Sequence, residues 1–131
     1  MDVEVLRSEF DAGGYDLVLS WRSTTRHIQM KSVIIGGKTA STKASLKLME
    51  KPSGCIIWPV LNHELNVNSY LWFGGRPGER LPDISNYRVA KHTKANSKGA
   101  KLERPNHRII PRGKFIRLPD LDSVLDRLFD F

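Results

Sequence analysis

Two short runs decide the fold of this chain: Gly14-Tyr15-Asp16-Leu17-Val18-Leu19 and His27-Ile28-Gln29-Met30-Lys31-Ser32. Successive side chains of a strand point to opposite faces, so Leu17 and Leu19 share one face, and Ile28 and Met30 share another. Ser23-Thr24-Thr25 lies between the runs and predicts a turn, which makes them an antiparallel hairpin. The two apolar faces coincide only if paired residue numbers have an odd sum, as when Leu17 meets Met30 and Leu19 meets Ile28. A one-residue slip would set leucine against Gln29 and Lys31. The odd sum also gathers Asp16, Gln29 and Lys31 on the opposite face, with Asp16 directly across from Lys31. The turn lacks Asn-Gly, so parity is better determined than the exact pairing.

Working outward, Val3–Arg7 reads as a first strand and Phe10–Gly14 as a turn. Tyr15–Trp21 and Arg26–Ile34 are the hairpin strands, broken by Gly36-Gly37. Ser41 or Thr42 caps a short helix through Lys51, with Ala44, Leu48 and Met49 on one side and Pro52 and Gly54 ending it. Cys55–Val60 is nearly continuous apolar sequence, the pattern of a strand buried on both faces. Ser69–Phe73 is a further strand, stopped by the turn Gly74–Gly78. Ile84–Lys94 is expected to be helical and Lys114–Leu118 extended. Leu121, Val124, Leu125, Leu128 and Phe129 fall at i, i+3, i+4, i+7 and i+8, a helical stripe that Asp120 caps, within residues 119–131. The order predicts one mixed α/β (α+β) domain over 1–131, a mixed central sheet flanked by helices.

The chain has 131 residues, 40% of them hydrophobic, which suits one core. Its longest apolar run, Cys55–Leu61, is far short of the roughly 20 residues that span a bilayer. Met1-Asp2-Val3-Glu4 is acidic and lacks the pattern of a secretory leader. A lone cysteine makes neither an intrachain disulfide nor a Cys-rich zinc site, and a cytoplasmic location is expected.

The formal charge is +7, and one segment supplies the whole excess. Residues 86–117 carry ten Lys/Arg and the single acid Glu103, net +9, while the first 85 residues carry +1 and the tail −3. Such a stretch is best explained by a polyanionic partner, and nucleic acid, DNA first, is the expected one. Arg88, Lys91, Lys94, Lys98, Lys101, Arg104, His107 and Arg108 are its candidate contacts, with Glu103–Arg108 the polar cluster of greatest interest.

A carboxylate, an amide and a lysine on one face suit a hard divalent cation and a water. Asp16, the Gln29 side-chain oxygen and the Met30 carbonyl are oxygen donors, and Lys31 can position a water or offset charge on a phosphorane. An ordinary cross-strand Asp–Lys pair is the plainer alternative. The same residues, Gly14-Tyr15-Asp16-Leu17-Val18 followed by Gln29-Met30-Lys31, resemble the core motif of the PD-(D/E)XK nuclease superfamily, with its restriction-endonuclease-like fold. The resemblance implies that Asp16, Gln29 and Lys31 are catalytic, with Gln29 at the variable acidic position, and that Mg²⁺ or Mn²⁺ is the cofactor. A helix ahead of the first strand often donates a Glu in that superfamily. Glu9, with Glu4 second, stands where such a group would be sought, and the short start implies a truncated helix or a second chain, another copy or a partner subunit, that completes the fold. Gln29 in place of an acid removes one negative charge from the metal site.

Other constellations are weaker. No two histidines have the spacing of a helical zinc pair, and Cys55 reads as a buried hydrophobe. Gly74–Gly78 lacks the ending of a P-loop. Trp21, Trp58, Trp72 and Phe73 read as core residues before they read as base-stacking platforms. Two function classes stay open: a metal-dependent endonuclease, and a non-catalytic nucleic-acid-binding or subunit-interaction module on the same fold.

Overall fold

The computed structural model describes residues 4–7, 14–31, 33–34, 39–91, 99 and 102–130. The hairpin forms from β2 (Leu17–Trp21) and β3 (Thr24–Met30), with Leu17 opposite Ile28 and Trp21 opposite Thr24. The odd sum therefore holds, but the pairing sits two residues tighter than the Leu17–Met30 expectation. Only Arg22 and Ser23 are left to turn the chain. Arg22 takes the left-handed φ of 55° that so tight a loop demands, and its guanidinium lies 4.3 Å over the Trp21 ring. The tighter register moves Asp16 opposite Gln29 rather than Lys31; the Asp16 N–H donates to the Ile28 carbonyl at 2.8 Å.

β1 (Glu4–Arg7) pairs antiparallel with β2. β6 (Gly54–Leu61) runs parallel to β3 and pairs also with β4 (Val33–Ile34). β7 (Val67–Gly74) returns antiparallel to β6, and β10 (Ile116–Leu118) closes the far edge, giving the order β1-β2-β3-β6-β7-β10. A parallel step from β3 to β6 requires a crossover, and the crossover is where expectation and structure part. Residues 41–51 are not an α-helix: β5 (Ser41–Ser45) is a strand, followed by a 3₁₀ turn over Leu46–Glu50 that Ser45 caps. Ser and Thr are indifferent helix formers, and this run gains a ladder with β9 (Glu103–Pro111), a partner remote in sequence. Ile84–Lys94 is not helical either in its described part. Asp83 turns the chain by accepting from the backbone N–H and hydroxyl of Ser85, and β8 (Val89–Lys91) pairs with β9. β5, β9 and β8 make a second, three-stranded sheet.

The result is a mixed α/β domain in three layers. α1 (Leu121–Phe129) sets Val124, Leu128 and Phe129 against Ile28, Cys55, Ile57 and Trp72 on one face of the large sheet. On the other face Ile56, Trp58, Val60 and Phe73 meet Ala44, Leu48, Ile110 and Phe115 from the second sheet and its connections. β6 thus feeds odd residues to one core and even residues to the other, the physical reason Cys55–Val60 reads as unbroken apolar sequence. Burying each of its isoleucines is worth about 2 kcal/mol by transfer. Asp120 caps α1 by accepting from Ser123 N–H at 2.8 Å, as its sequence position predicts. α1 is the one α-helix among the described residues, so the expected flanking by helices reduces to a helix on one face and a small sheet on the other. No described helix is long and apolar enough to cross a membrane.

One buried charge stands out. Arg26 is wholly buried, donates to the Gly75 carbonyl at 3.2 Å, and lies 5.2 Å over the Trp72 ring. Burial pushes the neighbouring Cys55 thiol up to about 11, with the Arg26 charge pulling the other way and losing.

Candidate functional site

Alternation along β3 divides its side chains between the layers. Arg26 and Ile28 face α1, while His27, Gln29 and Lys31 face the second sheet. The cleft between the two sheets, of about 360 Å³, is where that second set emerges. Gln29 and Lys31 line one wall. Lys43 and Ser45 on β5, with Lys47 in the turn behind it, line the next. Arg104, Asn106 and His107 on β9 also line it, and so does Gly14. Gly14 has φ +77°, and a Cβ there would come within 2.8 Å of Ser45 Cβ, so only glycine lets the loop approach β5 this closely.

The fixed contacts are specific. Asp16 Oδ2 accepts from Gln29 Nε2 at 2.7 Å and from the Met30 backbone N–H at 2.9 Å. Lys31 extends the β3–β6 ladder through its N–H to the Ile57 carbonyl at 2.9 Å, which fixes its backbone at the cleft mouth. Lys43 Nζ donates to the Lys91 carbonyl at 2.7 Å. Arg104 Nη2 and His107 Nε2 lie 3.1 Å apart. Four formal positive charges, from Lys31, Lys43, Lys47 and Arg104, therefore converge on a cleft with no acid among the described residues that line it. In low dielectric such convergence is costly without a counter-charge, and an anionic ligand relieves it.

The structure sets Gln29 and Lys31 in one cleft lining with Arg104 and His107, which the shared-face argument did not reach, and Asp16 joins them through its hydrogen bond to Gln29 rather than across from Lys31. Of the remaining basic candidates, Arg88 and Lys91 are exposed outside the cleft. Arg108 spends its guanidinium on the carbonyls of Ser85, Pro105 and His107, a local structural task. Glu9, Lys94, Lys98 and Lys101 lie outside the described residues. The helix expected over 41–51 conceals Lys43, Ser45 and Lys47; as a strand, Lys43 and Ser45 alternate onto one face, a signal present in the sequence.

Mg²⁺ takes near-octahedral oxygen ligands. The residues in place offer one carboxylate, whose Oδ2 already accepts two N–H donors, and an amide whose nitrogen is turned toward that carboxylate. Four cations surround them. Among the described residues no three His, Cys, Asp or Glu converge. These residues do not by themselves fit a divalent cation. They fit a phosphate: Lys and Arg supply charge-assisted donors, and Ser45 and Asn106 supply neutral ones.

No family model, curated protein or solved structure matches this chain.

Proposed function

We propose that this chain is a nuclease-like nucleic-acid-binding domain with a restriction-endonuclease-like core, and that the cleft between its two sheets takes the phosphate backbone, DNA first. One observation carries the reading: among the described residues, four cations and no acid line a cleft that opens beside Asp16, Gln29 and Lys31. Neighbouring strands that bear Asp16 and the Gln29-x-Lys31 pair, within a mixed sheet, support the resemblance in fold. Each phosphate contact made by these cations releases counterions, so four contacts on duplex DNA give a log–log salt slope of about −3 to −4. Fluorescence anisotropy of labelled DNA across a salt series measures it. Lys31→Ala and Lys47→Ala should each flatten the slope by about 0.9. A salt-independent affinity, or variants with the wild-type slope, would overturn the reading.

Hydrolysis of the bound backbone is the second reading, favoured by the placement of Asp16 beside the Gln29-x-Lys31 pair; the hydrogen bond between Asp16 and Gln29 has to open for a divalent cation to enter. Plasmid nicking in Mg²⁺ or Mn²⁺ tests it. Activity that Asp16→Ala abolishes while binding persists supports cleavage; no nicking by the wild type leaves the binding module alone.

A further inference from the structure

Arg104 and His107 face each other inside the cleft, Nη2 to Nε2 at 3.1 Å. A guanidinium has five N–H donors and no acceptor, and it stays protonated at any pH the fold survives. Nε2 of His107 must therefore be the accepting nitrogen. The imidazole is neutral in this contact, and its proton sits on Nδ1. An imidazolium cannot keep the bond, because both its nitrogens donate and its charge repels the guanidinium.

We propose that His107 is a proton-operated switch on the anion affinity of the cleft: neutral, it holds Arg104 to itself; protonated, it releases Arg104 to a bound phosphate and adds a second charged donor. The inference rests on the nucleic-acid-binding reading and names how that site is regulated. The groups around His107 set the direction. Lys31 lines the cleft with it from just past β3, Lys43 from β5 and Lys47 from the turn behind, all cationic. On its own strand Arg104 bonds the ring, and Arg108 donates to the His107 carbonyl at 3.1 Å. Glu103, paired with Lys91 at the far end of β9, does not line the cleft, and Asp16 is engaged by Gln29 and Met30. The described charged groups that line the cleft beside His107 are thus cationic. A phosphate bound among them attracts a proton to the ring, so anion binding and proton uptake favour each other by the same factor. Histidine is the side chain whose charge ordinarily changes between about pH 5 and 8, which places the switch in an accessible range.

The test is anisotropy of labelled single-stranded DNA against salt, at about pH 8 and about pH 5.5, with wild type and His107→Gln. A glutamine oxygen can still accept from Arg104 but takes up no proton. The wild-type salt slope should steepen by about 1.4 on acidification, two contacts at about 0.7 each, while the variant's slope stays constant. An equal pH response in both proteins overturns the switch and leaves nucleic-acid binding intact. Absence of binding by both proteins at either pH, to this probe and to its duplex, overturns the binding reading itself. A ligand-free measurement decides separately: ¹⁵N imidazole shifts near pH 8 should show His107 with its proton on Nδ1, and a proton on Nε2 would refute the proposal.

Discussion

Asp16→Ala tests the carboxylate that organises the hairpin end. Its Oδ2 accepts from Gln29 Nε2 at 2.7 Å and from Met30 N–H at 2.9 Å. Gln29 is only 7% exposed, so an amide that loses its partner there pays most of its desolvation cost, about 1–2 kcal/mol. Met30 is 37% exposed, so water replaces much of its lost bond, and about 0.5–1 kcal/mol remains. The expected loss is about 1.5–3 kcal/mol, a fall in Tm of roughly 5–11 °C for a domain of this size. Asp16→Asn keeps one oxygen for the Met30 N–H and should lose about half as much. Urea denaturation followed by circular dichroism measures both, with the m-value unchanged if only the native contact is lost. In a double-mutant cycle with Gln29→Ala, the pair should show a coupling of about 1 kcal/mol. An Asp16→Ala variant as stable as wild type, or more so, would refute the reasoning. It would mean that the carboxylate is held under strain for a ligand rather than satisfied by its neighbours.

Three further outcomes are expected. Gly14→Ala places a side chain at φ +77° and within 2.8 Å of Ser45 Cβ; it should cost about 1–3 kcal/mol in urea melts and weaken DNA binding, because Gly14 lines the cleft. The Cys55 thiol, pushed up to about 11 by burial, keeps its proton in the native state where the unfolded chain loses it, so stability falls as pH rises between about 9 and 11. Against Cys55→Ala that extra slope should vanish, and native Cys55 should resist alkylation near pH 8, as stopped-time thiol titration will show. The Asp120 carboxyl is held below its usual range by the Ser123 hydroxyl and then the Ser123 N–H, so its contribution is complete above about pH 4 and is lost as pH falls through the lowered value. Asp120→Ala should therefore melt lower than wild type at neutral pH, with the gap closing in acid.

Much of the fold was legible because certain signals are local. The α1 stripe from Leu121 to Phe129 and its Asp120 cap depend only on helical periodicity and one side-chain oxygen. The apolar run at β6 announced a strand covered on both faces, and two cores do cover it. The hairpin's parity followed from where Leu17, Leu19 and Ile28 could hide, and the same parity gathered Asp16, Gln29 and Lys31. Helices expected over 41–51 and over the described part of 84–94 give way because Ser41–Ser45 and Val89–Lys91 pair with β9. Ser41-Thr42-Lys43-Ala44-Ser45 has no strong preference of its own, and a ladder to residues 107–111 settles it. The helix expected over 41–51 hid Lys43 and Lys47 from the candidate site.

The sequence by itself determined the alternation of the hairpin, the doubly buried strand, the terminal helix and the concentration of positive charge in residues 86–117. These are properties of neighbours along the chain, written in periods of two and 3.6 residues and in local charge. Only the tertiary structure decided the exact register, which turns on the left-handed φ of Arg22 and moves Asp16 from Lys31 to Gln29. It alone decided, too, that Lys31, Lys43, Lys47 and Arg104 share one cleft, because β3, β5 and β9 meet through hydrogen-bonded ladders and packed faces between residues far apart in sequence. Contacts of that kind depend on which partner wins the competition for a strand edge, and no local pattern records the result.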